Sequence, residues 1–223
     1  MLHLTSTHVF IIGILLAWLA GIRVYLTVFG IGLAGAMGWM HLPEGLQVTE
    51  SPWVLGITGV MAVAEFFADK IPGVDSAWDL AHTLLRVPAG AFLAAAAIPT
   101  LTGDTSGAGA GMHTGMLAAG ALTALTSHTL KTATRGMINT SPEPVSNWTA
   151  SIVEDTTTVG ALALIWTHPW VAFGLAMAVT ITVLLLMWWL WRKLSRLHRQ
   201  LRETLQGKPA IESHESGDQS SAA

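Results

Sequence analysis

The sequence predicts an all-α, polytopic transmembrane helix bundle of about six spans. The 223 residues are 52% hydrophobic and only 11% charged, with a mean hydropathy of +0.53. Soluble domains carry roughly 25% charged residues. Apolar runs near 20 residues, about the length that crosses a bilayer as a helix, recur along the chain. The basic residues are segregated, with Arg192, Lys193, Arg196, Arg199 and Arg202 all following the last run. There is no cysteine, so disulfide and thiol chemistry are excluded.

The first apolar stretch runs from Val9 to Ala20 with no Lys or Arg before it, and cleavage after Ala20 would place Trp18 at a position that wants a small residue. It reads as part of the mature protein and not as a leader. Residues 9–40 are too long for one span and too short for two, and Gly21 and Arg23 divide them. The preferred assignment is a short interfacial or re-entrant helix at 9–20, with a span beginning near Arg23. Two tilted short helices are the alternative. The spans are then 20–39, 53–70, 79–101, 111–131, 149–168 and 169–191. Pro88 and Pro99 should kink the third, freeing carbonyls near Leu84 and Ala95. Gly107, Gly111, Gly115 and Ala119 give the fourth a small-residue face for close helix contact.

Charge orients the bundle. The basic segment after the last span argues for a cytoplasmic C-terminus, which puts 71–78 and 132–147, bordered by Lys70, Lys131 and Arg135, on the same side. The loops 40–52 and 102–110, which contain no Lys or Arg, are then outside, and both termini lie inside. Trp39, Trp53, Trp166 and Trp170 fall at the outer interface and Trp188, Trp189 and Trp191 at the inner one. The chain thus divides into a transmembrane domain at 1–191, a basic amphipathic helix at 192–206 and a disordered tail at 207–223. The basic helix suits an anionic leaflet or self-association into a homo-oligomer.

A shift of seventy residues aligns Pro72 with Pro142, Ser76 with Ser146, Trp78 with Trp148, Gly90 with Gly160 and Ala91 with Ala161. This weak two-helix repeat would be a parallel one. It sets Glu154 and Asp155 at the depth of Leu84 and Leu85, and so predicts that Arg86 faces one of those acids across the bundle.

Ionisable residues inside apolar sequence mark the candidate site. Asp75, Asp79, His82 and Arg86 are spaced four, three and four apart, one stripe at the start of the third span. Glu65 and Asp69 lie one turn apart near the end of the second, with Lys70 beside them, while Glu154 and Asp155 fall within the fifth. Arg23, His128, Lys131 and Arg135 are further partners, and Arg23 with Tyr25 suits a cytoplasmic-side gate or anion contact. Six carboxylates and five basic groups nearly balance, which is what an ion-pair network that merely fixes helix register would show. The same residues near the cytoplasmic side also describe a polar vestibule for a small polar or ionic solute, since intramembrane charge is costly unless paired, hydrated or functional.

Metal binding is a separate matter. Asp75, Asp79 and His82, with Glu65 or Asp69, are hard ligands that suit a divalent cation such as Mg2+. The other histidines are scattered without ligand spacing. The phosphate-loop, nucleophile-elbow and paired-histidine zinc signatures are absent. Asn147-Trp148-Thr149 fits the glycosylation pattern but falls on the cytoplasmic side.

Gly21-Ile22-Arg23-Val24-Tyr25-Leu26, then Glu65-Phe66-Phe67-Ala68-Asp69-Lys70-Ile71-Pro72-Gly73-Val74-Asp75-Ser76, then Ser141-Pro142-Glu143-Pro144 with Asn147 and Glu154-Asp155, resemble the bacterial family of domain of unknown function 4126 over about residues 20–190. The resemblance implies a multi-pass protein of the bacterial cytoplasmic membrane and brings no activity, cofactor or catalytic residue with it. From the residues, transport or permeation of a small solute leads, with the bilayer and the solute as partners, no nucleic acid and no cofactor. A magnesium-dependent membrane enzyme acting on a lipid or isoprenoid phosphate, and a structural or assembly protein, remain the alternatives.

Overall fold

The computed structural model of the chain describes residues 6–71, 73–98, 108–139 and 144–206. Their regular structure is helical throughout. α1 spans Ser6–Ala36, a 3-10 segment Glu44–Glu50, α2 Pro52–Ala68, α3 Val74–Ala96, α4 Ala108–Ile138, α5 Pro144–Ile165 and α6 Pro169–Gln206. Two compact units are formed, Met1–Leu184 and Leu185–Ala223, with the boundary inside α6. Pro72, Pro99, Gly107, Ser141, Pro142, Glu143, loop residues 102–107 and the tail 207–223 fall outside the described residues, and so do the side chains of Arg199 and Arg202.

α1 is the axis of the first unit. Ile12, Leu15, Leu16 and Leu19 are at most 1% exposed and join Leu93 of α3, Ile165 of α5 and Ala172 and Ala176 of α6 in the main core. A helix apolar on every face can be stable only when surrounded. This corrects the interfacial assignment: residues 9–20 are the buried first part of α1, a 31-residue element of two helices joined at a kink, as the two-helix alternative expects. The division expected at Gly21 and Arg23 is real, because Arg23 has φ −142° and ψ 76°, a non-helical residue within α1. Gly21 is required there, since a Cβ would overlap Ser127 Oγ and the Ala124 carbonyl of α4.

α3 and α4 pack as closely through small residues. A Cβ on Gly90 would overlap the Ala124 methyl, and one on Gly120 would lie 2.6 Å from the Gly90 carbonyl oxygen. The small-residue face expected at Gly111 and Gly115 is not the contact: both are exposed, and a Cβ on either would meet nothing within 4 Å. The close approach lies instead at Gly120 and Ala124, about one and a half to two and a half turns beyond Gly115. α3 starts from Gly73, whose φ of 85° suits glycine, and it continues as helix through Pro88.

Thr7–Ala36 and Pro169–Lys193 are long and apolar enough to cross a membrane, and the 3-10 segment with α2, bent by 68°, gives a third if counted as one span. α3, α4 and α5 have the length for a crossing at 22 to 31 residues, but their charged residues, and in α4 its many Gly, Thr and Ser residues, make them less apolar than the two helices above. In the second unit, described alone, Arg192 lies 4.3 Å from the Trp188 ring and Lys193 5.2 Å from the Trp189 ring, cation–π contacts between successive turns.

Candidate functional site

At the break in α1 the polypeptide gathers a single buried network of charge. Arg23 leaves the helix and binds Asp69 of the α2 end at 2.7 Å and Asp155 of α5 at 2.9 Å. Lys131 of α4 reaches Asp69 at 2.9 Å, Asp79 of α3 at 3.3 Å and Glu154 of α5 at 3.4 Å. Arg86 of α3 holds Glu65 at 2.6 Å and Asp79 at 2.8 Å. Arg135 of α4 binds both Glu154 oxygens at 3.0 Å. Arg23, Asp69, Asp79, Arg86 and Arg135 are at most 1% exposed. Burial at that level is costly for a charge and is sustained by pairing from several sides.

The broken backbone belongs to the site. Arg86 Nη1 donates to the Gly21 carbonyl at 3.3 Å and Lys131 Nζ to the Ile22 carbonyl at 3.2 Å. These carbonyls end the first half of α1, where the helix carries partial negative charge. Cations from α3 and α4 therefore cap a helix end in the bundle interior, a use of irregular backbone that the membrane environment tolerates only in a protein interior.

Each expected residue can now be placed. Arg23, Glu65, Asp69, Asp79, Arg86, Glu154 and Asp155 converge as one network. Lys70 joins it through Ser151 Oγ at 3.2 Å, which also receives Arg23 at 3.0 Å, and lies over the Phe66 ring. Asp75 is buried at the margin, accepting from Gly73 N, Ser76 N and Asn139 Nδ2. Tyr25 and His82 stand apart: their rings meet edge to face at 5.6 Å, and His82 stacks on Trp78 at 4.3 Å. Arg86 does not face Glu154 or Asp155. Its acids are Glu65 and Asp79, while Arg23 and Arg135 take the pair on α5. Asp75, Asp79 and His82 do not come together as ligands, and among the described residues no group of three or more His, Asp or Glu side chains is arranged to hold a metal ion.

Sequence reasoning passed over Ser151 and Asn139, and read Asn147 only as part of a glycosylation pattern and of the family motif. Arg135 donates to the Asn147 carbonyl at 3.2 Å, and Asn147 Nδ2 donates to Asn139 Oδ1 at 2.8 Å. A signal existed for Ser151, which lies one turn before Glu154 and Asp155 on α5. His128 was named only as a partner, yet geometry sets its tautomer. Arg86 Nη1 can only donate, so His128 Nδ1 at 3.2 Å accepts. The ring proton then sits on Nε2 and goes to Thr83 Oγ1 at 2.8 Å.

Two cavities flank α4 at this level. One of about 400 Å3 lies between α3 and α4, with Asp79, Thr83, His128 and Arg135 on its wall. The other, about 220 Å3, is mostly apolar and reaches Lys131 and Glu154 among residues of α1, α4, α5 and α6. An all-helical protein with membrane-length apolar helices and a charged interior is the class that this fold and site define. The chain matches the family model described as Domain of unknown function (DUF4126) over residues 10–193, and it belongs to that family. No curated protein and no solved structure matches it.

Proposed function

We propose that this is a six-span membrane protein that carries or conducts a small polar or ionic solute through the charged interior at the break in α1. The observation that carries the reading is the break itself, with the Gly21 and Ile22 carbonyls held by Arg86 and Lys131 inside an ion-pair network. Interrupted helices whose freed backbone groups meet charge near the bundle centre are how secondary carriers build solute sites. The distribution of side chains supports a lipid surround. α2 presents Trp53, Ile57, Val60, Val63 and Phe67 outward, and α5 presents Val145, Trp148, Ile152 and Val159, while both turn their acids inward. On this reading α1 to α6 each cross once, with the basic segment after residue 191 and both ends in the bacterial cytoplasm. Reporter fusions at the C-terminus test the orientation: activity of an exported phosphatase there would reverse it.

The functional test is Asp155→Asn. Asp155 bonds Arg23 at 2.9 Å and keeps a 20% exposed side chain, so it can exchange with solvent where Asp69 cannot. Solute flux into proteoliposomes should fall at least about tenfold, the scale of a lost charge-assisted contact, with the fold retained. Unchanged flux would remove the assignment. A structural network is the second reading, favoured because Arg23, Arg86, Lys131 and Arg135 each have a carboxylate within ion-pair distance.

A further inference from the structure

The two halves of α1 run in opposite directions along their neighbours. In the first half, residues 6–22, a Cβ on Gly13 would lie 2.6 Å from Met116 Cε of α4, and one on Gly21 would overlap Ala124 and Ser127, further along the same helix. This half also keeps step with α6. The His8 and Trp170 rings meet at 6.4 Å, and Trp18 Nε1 donates to Thr180 Oγ1 at 3.1 Å, ten residues on in each helix. The first half is therefore parallel to α4 and α6.

The second half, residues 24–36, follows α2 backwards. It leaves Arg23 at Asp69, just past the α2 end. It then passes Phe29, whose ring lies 3.0 Å from where a Cβ on Gly59 would be, and reaches Gly32, which abuts Thr49 and Leu55 where α2 begins. Along α5 it moves forwards, from Asp155 at Arg23 to Leu162, 2.7 Å from a Cβ on Gly30.

α2 and α4 point the same way. Their ends meet where Lys131 binds Asp69 at 2.9 Å and Arg135 donates to the Asp69 carbonyl at 3.0 Å. Their beginnings lie together at the far end of α3, where Gly45, just before α2, abuts Ala96, and Gly13, level with Met116 of α4, abuts Ala94. A half parallel to α4 followed by a half antiparallel to α2 is a reversal of the chain at Arg23. The backbone allows it, because a ψ of 76° at Arg23 replaces the helical value of about −42°. The carbonyls freed at Gly21 and Ile22 take Arg86 and Lys131, as a turn buried at membrane depth requires. The halves are about 25 Å and 20 Å long, short of a hydrocarbon core of roughly 30 Å. The tip therefore stops inside the bundle, at the ion-pair network.

We infer that α1 is a re-entrant helical hairpin, inserted from the side where α2 and α4 begin, which plugs the bundle and closes the charged site toward that side. Its arms are packed shut, with Leu15, Leu16, Leu19 and Ile31 at most 1% exposed. The inference rests on the membrane reading above and alters it at one place. α1 no longer counts as a crossing, so the N-terminus moves to the outer side, while the solute site and the cytoplasmic C-terminus of that reading stay. The hairpin is then the barrier between a solute at Asp155 and the outside.

The chain has no cysteine, so labels can be placed without background substitutions. Thr7→Cys and Met37→Cys, both at exposed positions near the two ends of α1, would carry a pair of spin labels in the full chain in detergent, their separation read by pulsed electron resonance. A straight helix would hold them roughly 45 Å apart, and the hairpin should bring them within about 30 Å. A longer separation overturns it. In spheroplasts, single cysteines at these two positions should react with a membrane-impermeant maleimide from one side. Gly136→Cys, near the α4 end where a Cβ meets nothing, should react from the other. Thr7→Cys reacting together with Gly136→Cys and opposite to Met37→Cys also overturns the hairpin, and where a position does not react the distance decides. Both measurements compare positions with one another, so they hold whichever orientation the C-terminal reporter finds. Neither reads flux: unchanged flux in Asp155→Asn would remove the transport assignment and leave the hairpin standing.

Discussion

Helices α3 and α5 send charge into the same network, yet they are held very differently. α3 withdraws Asp75, Asp79 and Arg86 completely from solvent, and Gly90 lets it press against α4. α5 leaves Glu154 and Asp155 16% and 20% exposed. Its Gly160, the counterpart of Gly90, has nothing within 4 Å of where a Cβ would be. Ala150, Val153 and Thr157 of α5 line the smaller cavity. The difference teaches that α3 is locked against α4 while α5 has room to shift, so movement of the network should occur on the α5 side.

Substitutions can break or sharpen that contrast. Arg86→Met should be the most damaging, leaving Glu65 and Asp79 buried with weakened compensation at a cost of about 3–5 kcal/mol. Denaturant unfolding followed by tryptophan fluorescence measures it, and a loss below that of Asp155→Asn would reverse the assignment of the locked side. Gly90→Ala should cost about 1–3 kcal/mol, because α3 and α4 must separate to admit the methyl. Asp155→Asn removes a 20% exposed carboxylate from an Arg23 that keeps Asp69 at 2.7 Å, and should cost about 1–2 kcal/mol. Its predicted loss of flux would then be a functional effect and not an unfolding one. Gly160→Ala should stabilise by about 0.5–1 kcal/mol, the ordinary gain of replacing glycine inside a helix where nothing obstructs the methyl. If Gly90→Ala and Gly160→Ala shift the unfolding midpoint alike, the two helices are held alike and the contrast fails.

Much of the site was legible because its signal is local. Charges interrupting apolar runs at Glu65, Asp69, Asp79, Arg86 and Glu154-Asp155 select themselves, and helical spacing groups them on faces. Gly21 and Arg23 likewise mark a point where an apolar helix cannot continue unchanged. The partner of Arg86 was not legible. A seventy-residue offset relates depths along two helices but says nothing of how far apart their axes lie, and α2 supplies Glu65 at 2.6 Å before α5 can compete. The small-residue contact was misplaced for a similar reason: Gly111 and Gly115 have the right spacing, but only the rotation of α4 decides which small residues face α1 and α3.

Composition and periodicity alone determined that the chain is helical and apolar, that the six acids and five bases set within or beside its apolar runs had to find one another, and that α1 would be interrupted near Arg23. Those outcomes follow from desolvation cost and backbone chemistry, which act residue by residue. Only the tertiary arrangement decided that residues 9–20 lie at the centre of the bundle, that the α1 carbonyls take cations from α3 and α4, and that Arg86 pairs with Glu65 and Asp79. Those depend on helix rotation and axial separation, which close packing of all the helices sets together.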